Sequence, residues 1–407
     1  MTHLDANKLA NAKVLVGNLN AFSNSPTVIW QPQRIALLGR LSQALRSHDE
    51  VRAFPELMAF AFWCRQSRLE KIATLLHSKE TPQLAMGLGL VLHICPSNVP
   101  VNFLYSLAFS LLAGNTNVLR LSSKNEPLYE IAITQLNRIL AEPEFSNMQA
   151  QLLVLQYGHD DEINAYLNQQ ADARIVWGGD ETVQRFRHYP SKARAREIAF
   201  PDRYSLCGLD AESILGQTES ELSKLANAIY NDIYIMNQAA CSSPQLIAWV
   251  GLDATIQAAK ARLWPQLENI AQEKFALEDI QVMNKYVDMC NTAISHPSLE
   301  QVEWDSPWLT RYQISHLTTQ QSSFRGYFGA LYEVSLTSLS ELRDVIDERV
   351  QTLSYFGFCK AMLTSFVIDN QLRGIDRIVP VGQALEMDFV WDGYDIIKTL
   401  SRVITIR

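Results

Sequence analysis

The sequence predicts an α/β protein whose strands are mostly parallel, and three observations carry that prediction. From about Leu84 onward, short apolar runs alternate with stretches of helical length, the pattern of βαβ units. The apolar runs are nearly continuous rather than alternating, as in strands covered on both faces. The chain has 407 residues, of which 47% are hydrophobic and 19% charged, enough for two or three domains with a sizeable core.

Residues 1 to about 80 read as helical, as in the stretch from Ser42 to Ser78. Strands are then expected at Leu88–Cys95, Thr116–Leu121, Gln151–Gln156 and Arg174–Trp177. Between them lie helical patterns at Val101–Leu112, Glu126–Leu140 and Asp160–Gln169. A long helical pattern from Glu219 to about Asn237 leads to Cys241, followed by a strand at Gln245–Val250 and one or two helices over Asp253–Lys274. Later strands are expected at Tyr327–Val334, Thr364–Val367 and Arg377–Val381. The tail from Glu386 to Ile397 resembles a hairpin, because Asp392-Gly393 suits a type I′ turn. No repeat, low-complexity tract or flexible linker separates these elements, so the domains are expected to interleave.

Composition excludes several classes. With 35 basic and 43 acidic residues the net charge is −8, which argues against a nucleic-acid binder. Six scattered cysteines without a C-x-x-C pair, behind an N-terminus that is not a signal peptide, suggest reduced thiols in a cytoplasmic protein. The histidines form no metal-binding spacing, and His93 with Cys95 has no second pair, so no metal is expected. The charge deficit is concentrated. Thr81 to Leu119 holds 39 consecutive residues without Asp, Glu, Lys or Arg, and a second such window runs from Ile233 to Leu252. Within the first, Val99–Gly114 is shorter than the roughly 20 residues of a membrane span and is interrupted by Pro100, Asn102 and Ser106. A buried strand, a turn and a buried helix account for it.

Four features are candidates for chemistry. Cys241 lies between Ala239, Ala240, Ser242 and Ser243, small residues that let a carbonyl approach the sulfur and the backbone N–H. A lone cysteine is more often an inert small hydrophobe, and the helix C-terminus upstream would not stabilise a thiolate. Asn98, flanked by Pro96 and Pro100 after a buried strand, either caps the next helix or closes the turn, or else offers an amide donor at the mouth of a sheet. Trp177-Gly178-Gly179-Asp180 ends a strand and begins a helix; it is either a tight turn or a place of close ligand approach that exposes helix N–H groups. From Arg174 to Arg203 the chain carries seven cations, either a solvated face or a surface for a phosphate-rich ligand.

Taken together, the segments ICPSNVPVNFLYSLAFSLLAGNTNVLRLSSK, WGG, NQAACSSPQ and GIDRIVPVGQALEMDFVWDGYDII resemble the LuxC-type fatty acyl-CoA reductases of the aldehyde dehydrogenase superfamily. The resemblance covers residues from about 80 to 407. It implies a Rossmann-type cofactor domain plus an α/β catalytic domain. The expected boundaries are a helical N-terminal region (1–80), an NADP-binding domain (81–236), a catalytic domain (237–380) and a C-terminal hairpin (381–407). It also implies that Cys241 is the nucleophile and that Asn98, in the P-x-N-x-P element with Pro96, donates to an oxyanion. Gly158, Gly178 and Gly179 match the cofactor turns, and Pro380 with Gly382 matches a late P-x-G element. Arg120 replaces the cofactor-ribose Lys and Ser123 the nearby acid, which favours NADPH over NADH.

The chain departs from the superfamily in two places. The oxidative enzymes' general-base Glu is matched by Ala199, so water would attack an acyl-cysteine slowly, although Glu197 lies two residues away. The Glu that holds the nicotinamide ribose is matched by Gly326, with Glu333 a possible substitute. The implied function is NADPH-dependent reduction of a fatty acyl-CoA, or of an acyl-carrier thioester, to the aldehyde. The alternatives are an oxidative aldehyde dehydrogenase and a non-redox acyl-carrying subunit. An acyl-transferring partner enzyme and a homo-oligomer are further expectations of the resemblance, with the C-terminal hairpin able to offer an edge strand to a neighbour.

Overall fold

A computed structural model describes residues 4–79, 84–124 and 126–406. The chain forms two compact units, Met1–Pro201 with Met387–Arg407 and, between them, Asp202–Glu386. The boundaries drawn along the sequence at 80, 236 and 380 do not coincide with these.

In the first unit the elements run β1 (Lys13–Val16), α1 (Pro32–Arg46), α2 (Pro55–Trp63), α3 (Gln66–Lys79), β2 (Leu84–Gly87), β3 (Leu90–Ile94) and α4 (Asn102–Leu112). They continue with β4 (Thr116–Leu121), α5 (Pro127–Leu140), β5 (Leu152–Gln156), α6 (Asp161–Gln170), β6 (Ala173–Trp177), α7 (Asp180–His188) and β7 (Arg196–Phe200). The sheet order is β1-β5-β4-β3-β6-β7, with β3 to β7 parallel and β1 antiparallel on the edge beside β5. The N-terminal region is therefore not a separate helical piece. Its strand β1 extends the sheet, and buried Arg34 of α1 donates to the carbonyls of Leu111 and Asn115 at 3.0 and 2.6 Å.

The first charge-free window is explained by burial. All five residues of β3 are buried, and so are ten of the eleven in α4. No described helix is long and apolar enough to cross a membrane. His93 sits in this core, with Nδ1 2.7 Å from Ser106 Oγ and Nε2 3.1 Å from Asn117 Oδ1, and burial pushes its pKa down to about 4. Trp177 Nε1 donates to the same Ser106 hydroxyl at 3.1 Å.

The second unit holds β8 (Tyr204–Asp210), α8 (Ala211–Leu215), α9 (Glu219–Tyr234), β9 (Leu246–Val250), α10 (Asp253–Lys274), α11 (Asp279–Ser295), β10 (Leu299–Ser306) and β11 (Leu309–Ile314). Then follow β12 (Ala330–Leu336), β13 (Val350–Phe356), α12 (Lys360–Asp369) and β14 (Arg377–Pro380). The sheet order is β10-β11-β12-β9-β8-β13-β14, parallel except for β10. Successive residues of β9 enter opposite cores, Leu246 and Ala248 on one face and Ile247 and Trp249 on the other. A capping box between Thr218 and Glu221 starts α9.

Two sequence expectations change here. Thr364–Val367 is not a strand but lies within α12, where Leu363 and Phe366 share the buried face at a spacing of three. The strand expected from Tyr327 begins only at Ala330, because Phe328 and Gly329 take φ of 56° and 81°.

The chain then returns to the first unit. β15 (Val390–Trp391) and β16 (Tyr394–Asp395) form the expected hairpin around Asp392 and Gly393, with φ of 54° and 77°. After α13 (Ile396–Thr399), β17 (Ser401–Ile404) pairs antiparallel with β2 of the same chain.

Candidate active site

Counted in chain order, the five parallel strands of the first unit lie side by side as 3-2-1-4-5. The order reverses between β3 and β6, and in such sheets ligands bind outside the carboxyl ends of the strands at that point. The turn with Pro96 and Asn98 follows β3, and the Trp177-Gly178-Gly179-Asp180 turn follows β6; the register pairs Ile94 with Val176. Both segments singled out from sequence therefore flank the switch point. Pro96 is half-buried and Asn98 exposed. Asn98 is not the cap of the next helix, because α4 begins after Val101 and has no side-chain cap.

Arg120 lies on β4 beside Ile94. Its Nη2 donates to the carbonyls of Tyr157 and Gly158 at 3.4 and 3.3 Å, and the guanidinium sits 5.5 Å from the Tyr157 ring centroid. Among the described residues its buried Nε has no hydrogen-bond partner, an uncommon state for a buried donor. A Cβ at Gly158 or Gly179 would meet nothing within 4 Å, whereas one at Gly178 would touch Thr182 at 3.1 Å. Ser123 is exposed just past the end of β4. Asp180 and Glu181 fill the first turn of α7, so this helix N-terminus already has carboxylates of its own.

The run of cations is largely used within the fold. Arg174 and Arg187 both pair with Glu197 at 2.7 Å, Lys192 pairs with Asp172 at 2.7 Å, and Arg203 pairs with Asp376 at 2.7 Å. Arg196 donates to the carbonyls of Thr399 and Ser401. For these five residues the phosphate-surface reading gives way to structural pairing.

Cys241 belongs to the second unit, in the turn between α9 and β9. Asn237 and Gln238 are consecutive non-glycine residues in the left-handed region, with φ of 54° and 62°, a strained pair that other contacts must hold. Gln238 is 1% exposed and supplies several of those contacts. Its Nε2 donates to the carbonyls of Pro244 and Ala330 at 3.0 and 2.9 Å, and its Oε1 accepts the N–H groups of Gly329 and Ala330 at 3.1 and 3.2 Å. Gln245 Nε2 donates to the Gln238 carbonyl at 3.1 Å, and Gln245 Oε1 accepts Gly326 N–H at 2.7 Å. Ser205 Oγ donates to the carbonyl of Cys241 itself at 2.6 Å. Cys241 is thus an exposed thiol on a pinned backbone. By contrast Cys64, Cys95 and Cys207 are buried; burial pushes the Cys64 and Cys207 thiols up to about 12 and raises that of Cys95 as well. Sequence reading missed Gln238, Gln245 and Ser205. Only the adjacency of Gln238 and Gln245 to the cysteine segment hinted at them.

The two departures take physical form. Ala199 is buried in β7 opposite Val176. Burial alone would raise the Glu197 carboxyl, but Arg187 and Arg174 hold it below the usual carboxylate range, so it is an ion-pair partner rather than a base. A Cβ at Gly326 would lie 1.9 Å from the Ala330 carbonyl oxygen, so this backbone admits no side chain there. Glu333 is fully buried: Trp249 and Trp264 donate to its Oε1 at 2.8 and 3.0 Å, and Lys260 and Arg311 lie 3.5 and 3.6 Å from its Oε2. It is committed to the core of the second unit and is no substitute ribose clamp.

A family model described as acyl-CoA reductase (LuxC) matches residues 68–403. The chain belongs to the LuxC family. Two curated relatives of this LuxC member are both called long-chain acyl-protein thioester reductase. The one from Aliivibrio fischeri is 22% identical over 165 residues, and the one from Photorhabdus laumondii is 26% identical over 166. Each match covers 40% of this chain and 32% of the relative. Among solved structures, 1-pyrroline-5-carboxylate dehydrogenase of Thermus thermophilus superimposes with a TM-score of 0.63 at 12% identity, covering 92% of this chain and 81% of that one. An indole-3-acetaldehyde dehydrogenase gives 0.62 at 14% identity, covering 92% and 83%. The LuxC chain therefore has the aldehyde dehydrogenase fold.

Proposed function

We propose that this chain reduces a long-chain acyl thioester to the aldehyde through an acyl-Cys241 intermediate, with NADPH as reductant. The observation that carries this reading is the exposed Cys241 thiol on a turn held by Gln238, Gln245 and Ser205. The family description names acyl-CoA and the curated relatives' names an acyl-protein thioester, so both donors belong to the proposal.

In this reading the Cys241 sulfur attacks the thioester carbonyl and forms a C–S bond, while the Cys241 N–H stabilises the oxyanion. Such a donor contributes about 10²–10³ in rate. Collapse expels the donor thiol, which takes up a proton, and leaves the acyl group on Cys241. A nicotinamide dinucleotide, when bound, supplies the hydride for reduction of that acyl group. The residues present fit such a ligand: Arg120 keeps a buried Nε unpartnered among the described residues, and Gly158 and Gly179 leave open approaches at a doubly wound switch point. Gly178 and Pro96 would line the same approach. Ser123 presents no carboxylate to oppose a 2′-phosphate, which supports NADPH.

The oxidative alternative lacks support, because Ala199 offers no base and Glu197 is engaged by two arginines. The test is incubation with labelled long-chain acyl-CoA and acyl-carrier protein thioesters without nucleotide. A covalent adduct mapped to Cys241, released as aldehyde on adding NADPH, is the expected result. Acylation of Cys241→Ala, or an adduct on the other exposed thiol, Cys359, overturns the proposal.

A further inference from the structure

Lys285 is the one lysine of α11 and is only 3% exposed. Its Nζ donates to the carbonyls of Pro307 and Phe328 at 2.6 and 2.8 Å and lies 5.8 Å from the Trp304 ring centroid. The Phe328 segment touches the turn that carries Cys241, and the Pro307 segment touches the end of the helix before it. Phe328 N–H donates to the carbonyl of Asn237 at 3.4 Å, and the two residues after it donate to Gln238 Oε1. Next to Pro307, the carbonyl of Trp308 accepts the phenol of Tyr234, the last residue of α9, at 2.8 Å. Gly329 is required in this knot: a Cβ there would lie 2.3 Å from Tyr234 Oη and 2.4 Å from the Trp308 carbonyl oxygen.

These contacts close a ring. From the end of α9 it passes through Tyr234 to Trp308, along the chain to Pro307, across Lys285 to Phe328, and back through Asn237 into the turn that ends at Cys241. The left-handed pair Asn237–Gln238 does not hold itself, and among the described residues Lys285 is the side chain in the ring that joins the β10–β11 turn to the segment before β12. We infer that Lys285 is a positioning residue for Cys241, acting through Phe328 and Asn237 and not through contact with substrate. The inference rests on the reading of Cys241 as the acylated nucleophile. Removing the Lys285 amine leaves two carbonyls without this donor, so the tie tolerates little loss.

The experiment measures the rate of Cys241 acylation by labelled long-chain acyl-CoA over a range of concentrations, in the full chain without nucleotide. Lys285→Met is expected to lower the saturating rate about tenfold while the half-saturating concentration changes less than twofold, because misplacement of the sulfur affects the reacting geometry. Lys285→Arg is expected to recover part of the rate. Tyr234→Phe removes one hydroxyl from the opposite side of the ring and is expected to slow acylation severalfold at unchanged helical content. Wild-type acylation rates in folded Lys285→Met overturn the inference. Should Lys285→Met not fold, wild-type rates in both Lys285→Arg and Tyr234→Phe overturn it. Persistent acylation in Cys241→Ala would instead overturn the underlying reading, so the two failures are distinct.

Discussion

The carboxylate of Asp232 accepts the backbone N–H of Gly382 at 2.7 Å, and its other oxygen accepts that of Ala384 at 2.9 Å. The late P-x-G element is thereby tied to α9, the helix that leads into the turn carrying Cys241. A side chain at Gly382 would press on Ala228 of the same helix, at 2.9 Å from its Cβ.

This tie makes stability depend on pH. Burial raises the Asp232 carboxyl from 3.8 to about 7, against the lowering effect of the two N–H donors and Arg377. The folded chain keeps this proton where the unfolded chain releases it. The group's contribution is therefore full below about pH 4 and is lost as pH rises through 7. Asp232→Asn is expected to lower Tm more at pH 5 than at pH 8. A Tm gap that widens from pH 5 to pH 8 would contradict this assignment.

Lys285 has the opposite sign. Burial lowers its ammonium from 10.5 to about 7, so the unfolded chain binds the proton more tightly. The associated stability is present above pH 10.5 and is lost as pH falls through 7. Denaturant unfolding at pH 7 and pH 9 is expected to show wild type gaining stability relative to Lys285→Met at the higher pH.

Glu197 is a structural anchor in β7. Glu197→Gln weakens its pairing with Arg174 and Arg187 and is expected to cost about 1–3 kcal/mol in unfolding free energy. Acylation of Cys241 and the slow hydrolysis of the acyl-enzyme are expected to stay at wild-type rates. Slower hydrolysis in the variant would reinstate Glu197 as a base.

On the proposed reading, cofactor choice turns on Ser123, just past the end of β4, and on Arg120 within it. Ser123→Asp is expected to raise KM for NADPH about tenfold relative to that for NADH, through repulsion of the 2′-phosphate. Arg120→Ala is expected to weaken both nucleotides. Unchanged nucleotide preference in Ser123→Asp would remove the basis for NADPH.

The sequence was most legible where burial is uniform. β3, β5 and β6 stand out because all but one residue in each is apolar and nearly all are buried. β13 was not legible, because Gln351, Thr352 and Ser354 are buried polar residues that break its apolar signal. The boundary between the units is silent too, since the chain passes from β7 to β8 through only Pro201, Asp202 and Arg203. Cys241 and Asn98 stand out because each lies within a charge-free window. The support of Gln238 depends on torsion angles, and that of Lys285 on a partner distant in sequence, so neither was readable along the chain.

The pairing of β17 with β2 also sets an order of assembly. Strand Leu84–Gly87 emerges early in synthesis, yet its antiparallel neighbour Ser401–Ile404 is translated only after the whole of Asp202–Glu386. The continuous middle segment can complete its own seven-stranded sheet during translation, while the unit it interrupts waits for its last strand. Until then β2 presents an open edge. A nascent chain stalled before Ser401 is therefore the species most exposed to chaperones and to mispairing with another copy.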